Sequence, residues 1–292
     1  METIEQFKKD LWNGIFFHTR KMMMPSLVFS IINGIVILLV MAGVFSAFLD
    51  MDALREVLEK YGKGPSFGDM EEQNNLFKSI FKGMNPGMIF LVVILIYGTI
   101  FIISAWFSNA MLLASEDILL KGEANMGDVL RRSMNRDIIK LIGLFVFIGI
   151  IAGVLSVVAF TLVYVNLALL FIGGLLVIWI ALRFTAAPGA IVHGKLGVFE
   201  AMTFSWRNIG MGGAGKIIIV GIVAGIIFMM VSLVATGISA LLGTVGGIIS
   251  LIIQLVIQVV FNAFMYSGYS AAFYRYADVE FQDAEEAHLV EE

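Results

Sequence analysis

Six stretches of this chain, near 26–49, 87–114, 138–163, 167–187, 216–241 and 246–274, stay apolar for about twenty residues or more. A helix of roughly 20 apolar residues crosses the roughly 30 Å hydrocarbon layer of a bilayer. In lipid a backbone must satisfy its own polar groups, and a helix does so within one segment. The composition agrees, with 59% hydrophobic and 14% charged residues, against roughly a quarter charged in soluble domains. The expected fold class is an all-α polytopic membrane protein with six transmembrane helices arranged as three hairpins. The third and fourth runs are split by Tyr164-Val-Asn166 and the fifth and sixth around Gly243–Gly247. Both joints are too short and too uncharged to be anything but tight turns.

Six crossings return both termini to one side, and the lysines and arginines say which. Of 19 such residues, 5 lie in the 50–85 loop, where seven acids outnumber them, and all the others fall in the opposite set of segments. Both termini are therefore expected on the cytoplasmic side. The outer loop, 50–85, reads as two short amphipathic helices near 52–61 and 69–82, broken by Gly62-Lys-Gly-Pro-Ser66. The first 24 residues carry Glu2, Glu5 and Asp10 and lack the short apolar core of a cleavable signal peptide, so the first span is expected to stay as an anchor. The expected domain plan is a single transmembrane domain, 1–277, followed by a solvated acidic tail, 278–292, with seven acids and no lysine or arginine.

An internal repeat organises the cytoplasmic segments. Lys121–Arg136 set over His193–Asn208, at a constant offset of 72, places Gly122 on Gly194, Asp128 on Glu200 and Ser133 on Ser205. A fainter copy aligns Thr3 with Asn125 and Gly197, and Trp12 with Met134 and Trp206. The chain then reads as three units, about 1–114, 116–187 and 188–274, each a cytoplasmic interfacial amphipathic helix followed by a hairpin of spans.

The repeat gives the carboxylates a structural task. Asn125, Gly197 and Thr3 are residue types that serve as N-caps, and Asp128, Glu200 and Gln6 stand three positions on, where a capping box places its acceptor. Asp128 and Glu200 are therefore read as structural caps, each worth about 0.3–1 kcal/mol at the positive end of a helix dipole.

The stretch from Arg183 to Gly210 resembles a known signature. "RFTAAPGAIV", a glycine, then "VFEAMTFSWRNIG" is similar to a pattern in YciC-like bacterial inner-membrane proteins and in the membrane domain attached to some glycerophosphodiester phosphodiesterases. The matching residues are Arg183, Phe184, Pro188, Glu200, Ala201, Ser205, Trp206, Arg207 and Gly210. The departures are His193-Gly194, where relatives often carry an acid before the glycine, and the absence of a soluble phosphodiesterase domain. The resemblance implies a six-helix inner-membrane protein and supplies no catalytic residue.

Chemistry is sparse. The chain has no cysteine, and its histidines stand far apart at 18, 193 and 288, so neither thiolate chemistry nor a histidine metal site is expected. H-E-x-x-H, G-x-S-x-G and Walker A patterns are missing, and no catalytic residue, metal or cofactor is expected. The protein is read as a non-enzymatic scaffold, accessory subunit or envelope-maintenance factor, with membrane lipids and other membrane proteins as partners and no nucleic acid. Arg183, His193 and Arg207 are candidate contacts for a phosphate, a lipid headgroup or a partner. The simpler account has Arg183 and Arg207 snorkelling as anchors and His193 idle at the interface.

The alternative function is transport or lipid handling along the last span. There Ser250, Gln254, Gln258, Asn262, Tyr266 and Ser270 recur every fourth residue and form a polar stripe. Amides at that depth must be paired or wet. They are read either as interhelical hydrogen bonding or as a cavity lining, with Asn33, Ser108 and Asn109 as facing partners. Gly149-x-x-x-Gly153 and Gly221-x-x-x-Gly225 suit close helix packing, and Gly210–Gly215 a flexible joint.

Overall fold

A computed structural model of the chain describes residues 10–48, 86–163, 179–180, 183–209, 229–234, 249–250 and 252–275. Among these residues the protein is all-helical. Its principal elements are α1 (Leu11–Phe48), α2 (Pro86–Lys121), α3 (Met126–Ser133), α4 (Asp137–Val163), α5 (Ala187–Val192), α6 (Val198–Asn208) and α7 (Ile252–Arg275). Four helical stretches are long and apolar enough to cross a membrane: Asn13–Gly43, Phe90–Lys121, Asp137–Leu155 and Ile252–Arg275. The expected outer loop, both tight turns, the acidic tail, the Gly210–Gly215 joint, the Gly221–Gly225 pair and most of the fourth and fifth expected spans lie outside the described residues.

The chain divides into two compact units, residues 31–104 and residues 1–30 with 105–292. In the smaller unit, apolar side chains such as Leu38, Leu39, Phe90, Leu91 and Tyr97 are exposed, as suits helices that meet hydrocarbon rather than water. Thr99 and Ser104 donate their hydroxyls to the carbonyls of Leu95 and Ile100 one turn back, so neither of these two hydrogens is left bare.

The larger unit holds the core. From Ala105 to Leu119, α2 is buried at every position except the half-buried Glu116, the mark of a helix surrounded by others. Small residues on it, Ala105, Ala110 and Ala114, let neighbours approach. On α1 the buried set Ile15, His18, Thr19, Met22, Ser26, Phe29 and Ser30 follows the three-and-four spacing of one helical face. Phe29 meets Trp106 edge-on at 6.3 Å, and Phe107 meets Tyr266 of α7 at 5.8 Å. Ile15, Leu119 and Ala271 close the far end as one apolar cluster.

Two elements outrun the sequence expectation. The first expected span starts near residue 26, but α1 is one helix of 38 residues that already begins at Leu11 and continues through Pro25, while the interfacial helix expected from Thr3 lies largely outside the described residues. Proline removes a single donor, and its neighbour Ser26 gives its hydroxyl to the Val259 carbonyl of α7 at 2.7 Å. Likewise α2 does not stop at residue 114. Its 36 residues make about 54 Å of helix at 1.5 Å per residue, well beyond one hydrocarbon layer. It ends at Lys121 with Gly122 in the left-handed region, at φ 86°, the usual way for a helix to terminate.

Among the described residues nothing lies within 4 Å of a Cβ built on Gly149 or Gly153. The tight glycines are Gly189 and Gly194, where α5 and the turn after it press on α7. A Cβ on Gly189 would lie 2.8 Å from Phe273 Cβ and 3.0 Å from the Tyr269 carbonyl.

Candidate functional site

The repeat aligned at an offset of 72 is visible in the elements themselves, since α3 begins at Met126 and α6 at Val198. Each short helix is pinned by its aligned serine, and both serines are buried. Ser133 Oγ accepts from Trp106 Nε1 of α2 at 2.8 Å. Ser205 Oγ accepts from the Ala186 amide at 3.1 Å and donates to the Arg183 carbonyl at 2.6 Å. In both copies a serine near the end of the short helix thus hydrogen-bonds the segment that enters it. Ser133→Ala and Ser205→Ala are each expected to lower stability by about 1–2 kcal/mol, because each strands a buried donor. Thermal unfolding of the detergent-solubilised protein checks this, and a double mutant with additive loss is expected from two separate clasps.

The caps differ between copies. Glu200 Oε2 accepts the Gly197 amide at 2.9 Å, while glycine has no side chain to complete the box. At α3 the cap is Asn125, whose Oδ1 accepts from Gly127 and Asp128 amides at 3.0 and 3.3 Å. Asp128 is therefore not the capping acceptor. Its carboxylate pairs with Arg132 at 2.9 Å and Arg131 at 3.6 Å, because two arginines at i+3 and i+4 on its own helix compete for it.

A charged network continues from there into the core. Asp117 of α2, 3% exposed, takes Lys121 Nζ on Oδ1 at 2.9 Å and Arg132 on Oδ2. Asp137, at the start of α4, is also buried and holds Lys140 at 3.4 Å and Lys195 at 3.7 Å. It thereby joins the α3–α4 corner to the loop before α6, in which Lys195 adopts φ 51°.

Arg183 and His193, expected at a headgroup face, are engaged inside the protein. Arg183 donates to the carbonyls of Trp206, at 2.9 Å, and Ile209, so it caps the C-terminal end of α6, and it lies over the Trp206 and Trp179 rings at 4.6 and 5.2 Å. His193 is buried, bonded to Ser270 at 3.1 Å and packed against Phe273 and Tyr274. The reason is local: the close approach at Gly189 brings this turn against α7 rather than out to the surface. Arg207 alone of the three is exposed.

Burial, with the Lys195 ammonium and the His18 ring adding to it, lowers the His193 pKa from 6.5 to about 3. The folded value lies below the unfolded one, so the unfolded chain takes up a proton first as pH falls. Stability is complete above pH 6.5 and is lost between 6.5 and about 3, at up to about 1.4 kcal/mol per pH unit. Melting temperatures measured from pH 7.5 to 5 are expected to fall, and His193→Gln is expected to flatten the slope.

The polar stripe of α7 divides in two. Tyr266 and the Ser108 hydroxyl of α2 bond at 2.7 Å, and Asn262 donates to Ser30 of α1 at 3.3 Å. Gln254 and Gln258 are exposed, and Gln254 reaches only Ser250 of its own helix, at 3.5 Å. Of the expected partners, Ser108 meets the stripe. Asn109 turns instead to the Ser133 carbonyl and Asn135, at 2.7 and 3.0 Å. Asn33, in the smaller unit, has a buried Oδ1 with no partner among the described residues.

Sequence reasoning missed His18, Ser115 and Asp117, because both bounding spans were drawn short of them. The signal was present: Ile15, His18, Thr19 and Met22 share one face, and Ser115, Glu116 and Asp117 interrupt the apolar run of "MLLASEDILL". Comparison of this chain with protein-family models, with curated proteins and with solved structures finds no match.

Proposed function

We propose that this protein is a non-enzymatic multi-pass scaffold or accessory subunit of a bacterial inner membrane, with both termini in the cytoplasm. In this reading six helices cross as three hairpins, and α3 and α6 lie in the headgroup plane with Met134, Phe199 and Trp206 turned towards lipid. All three are exposed, and interfacial tryptophan has a preferred depth there. Arg131, Arg136 and Arg207, exposed on the same segments, supply the charge that attracts anionic headgroups. The YciC-like resemblance of Arg183–Gly210 agrees with this address.

One observation carries the reading. Within the larger unit, Asn262, Tyr266 and Ser270 of α7 are hydrogen-bonded to side chains of α1, α2 and the α5 turn. Groups that hold helices together are not available to line a path. The test is purification in mild detergent with native mass spectrometry. Retained protein partners or anionic lipid, lost in an Arg131→Glu/Arg136→Glu/Arg207→Glu variant that still melts like the parent, are the expected result. A clean monomer carrying neither overturns the proposal.

The exposed amides Gln254 and Gln258 favour a second reading, in which that half of α7 lines a groove for a polar solute or lipid. Gln254→Leu/Gln258→Leu then abolishes complementation of a deletion strain while the protein remains folded. Full complementation by this variant removes the transport reading.

A further inference from the structure

Four buried side chains stand end to end in the larger unit. His18 Nε2 lies 2.8 Å from Ser115 Oγ, Ser115 Oγ 2.6 Å from Ser270 Oγ, and Ser270 Oγ 3.1 Å from His193 Nε2. They come from α1, α2, α7 and the cap position of α5. All are nine-tenths or more buried, and among the described residues the two serines have no other hydrogen-bond partners.

Counting protons constrains the chain. Each of the three contacts needs one hydrogen between its two atoms. The two hydroxyls supply two, so the third sits on the Nε2 of one imidazole while the other Nε2 is a bare acceptor. Two neutral histidines joined in this way must be opposite tautomers. The His193 Nδ1 atom is buried without a partner. The Nδ1 atom of His18 is buried as well, so the cost of a stranded N–H is the same for either direction of the chain. The hydrogen bonds run either from His193 through Ser270 and Ser115 to His18, whose proton then sits on Nδ1, or the reverse way.

We propose that His18, Ser115, Ser270 and His193 form a proton-transfer chain, which accepts a proton at one imidazole and delivers it to the other. In the first direction the atoms balance as follows. A proton binds His193 Nδ1 and a new N–H bond forms there. The Nε2 proton of His193 moves to Ser270 Oγ, the Ser270 proton to Ser115 Oγ, and the Ser115 proton to His18 Nε2. Every O–H and N–H bond broken is replaced by one formed, and the charge now rests on His18. All three contacts remain satisfied with the proton on either ring. A second added proton places hydrogens on both Nε2 atoms, four for three contacts, and breaks the chain.

The surroundings favour neutral rings at rest. The ionisable groups on the elements that meet here are Asp10, Arg20 and Lys21 on α1, Glu116, Asp117 and Lys121 on α2, Lys195 after α5, and Tyr266, Tyr269, Tyr274 and Arg275 on α7. Asp117 is committed to Lys121 and Arg132, and Lys195 together with burial disfavours charge on His193. Histidine is the side chain suited to passing protons in either direction.

The chain has three histidines, so ¹⁵N-histidine labelling of the intact protein in lipid nanodiscs, with His288→Ala to simplify the spectrum, reads both rings directly. The expected result at pH 7.5 is opposite tautomers, one ring Nε2–H and the other Nδ1–H, assigned with His18→Gln and His193→Gln. Lowering the pH is expected to move both rings in one shared transition. Ser270→Ala, which cuts the chain without touching His18, is expected to release the His18 tautomer preference and to separate the two titrations. If that variant does not fold, Ser115→Ala cuts the neighbouring link and Ser270→Thr keeps the hydroxyl as control. Identical tautomers in the parent, two independent titrations, or a His18 spectrum indifferent to the cut overturns the proposal.

Discussion

Replacing Asp117 with alanine is expected to lower the stability of the detergent-solubilised protein by about 3 kcal/mol, the lower end of the range for breaking a buried ion pair from one side. The carboxylate is 4% exposed while its partners are unequal: Lys121 is 62% exposed and Arg132 34%. Once the carboxylate is gone, Lys121 turns to water at little cost. Arg132 keeps Asp128 but loses its partner on the buried side. At roughly 2–4 °C per kcal/mol for a chain of this size, the melting temperature is expected to fall by about 10 °C. Lys121→Ala is the control, with a loss of under about 1 kcal/mol, as for an exposed pair. Equal losses from Asp117→Ala and Lys121→Ala would show that the network does not tie α3 to α2.

Gly189→Ala is expected to cost about 2 kcal/mol, within the range for overpacking a close-packed site, and Gly189→Val more. The added Cβ meets Phe273 Cβ and the Tyr269 carbonyl. Neither is the end of a flexible side chain, so α5 must move away from α7. The same substitution at Gly149 or Gly153 meets open space and replaces a poor helix former with the best one, a gain of roughly 0.5–1 kcal/mol in a helix interior. Opposite signs at Gly189 and Gly149 in one melting series are the expected result. A harmless Gly189→Ala would mean that α5 is not seated on α7 as described.

These glycines also show where sequence reading succeeds and where it stops. G-x-x-x-G is defined by spacing along one helix, and among the described residues no neighbour lies within 4 Å of a Cβ at Gly149 or Gly153. Whether a neighbour lies against that face depends on a second helix, about which local sequence says nothing. Gly189 carries no spacing signature, yet it is the residue on which another backbone closes. The repeat, by contrast, was readable because it is local. An N-cap, a short amphipathic turn and a serine seven or eight positions after the cap recur at Asn125–Ser133 and Gly197–Ser205, and these features dictate where α3 and α6 begin. The roles of Asp128 and Arg183 were misjudged for one shared reason. A charged side chain takes the best partner within reach, and the reach of Arg132 or of the α6 carbonyls is set by tertiary contact.

What can be known from the chain alone is its helical class, its long apolar segments and the register of its internal repeat. Each follows from periodicity, composition or capping within a few residues. The buried polar arrangement lies beyond that horizon. His18, Ser115, Ser270 and His193 are separated by 97, 155 and 77 positions at successive contacts. Their meeting depends on the rotation of three helices and one turn about their own axes. A rotation of one residue, about 100° on an α-helix, would send each hydroxyl elsewhere. Helix phase is fixed by packing, by Gly189 against Phe273 and Phe29 against Trp106, so the proton-bearing core exists only once the helices have docked.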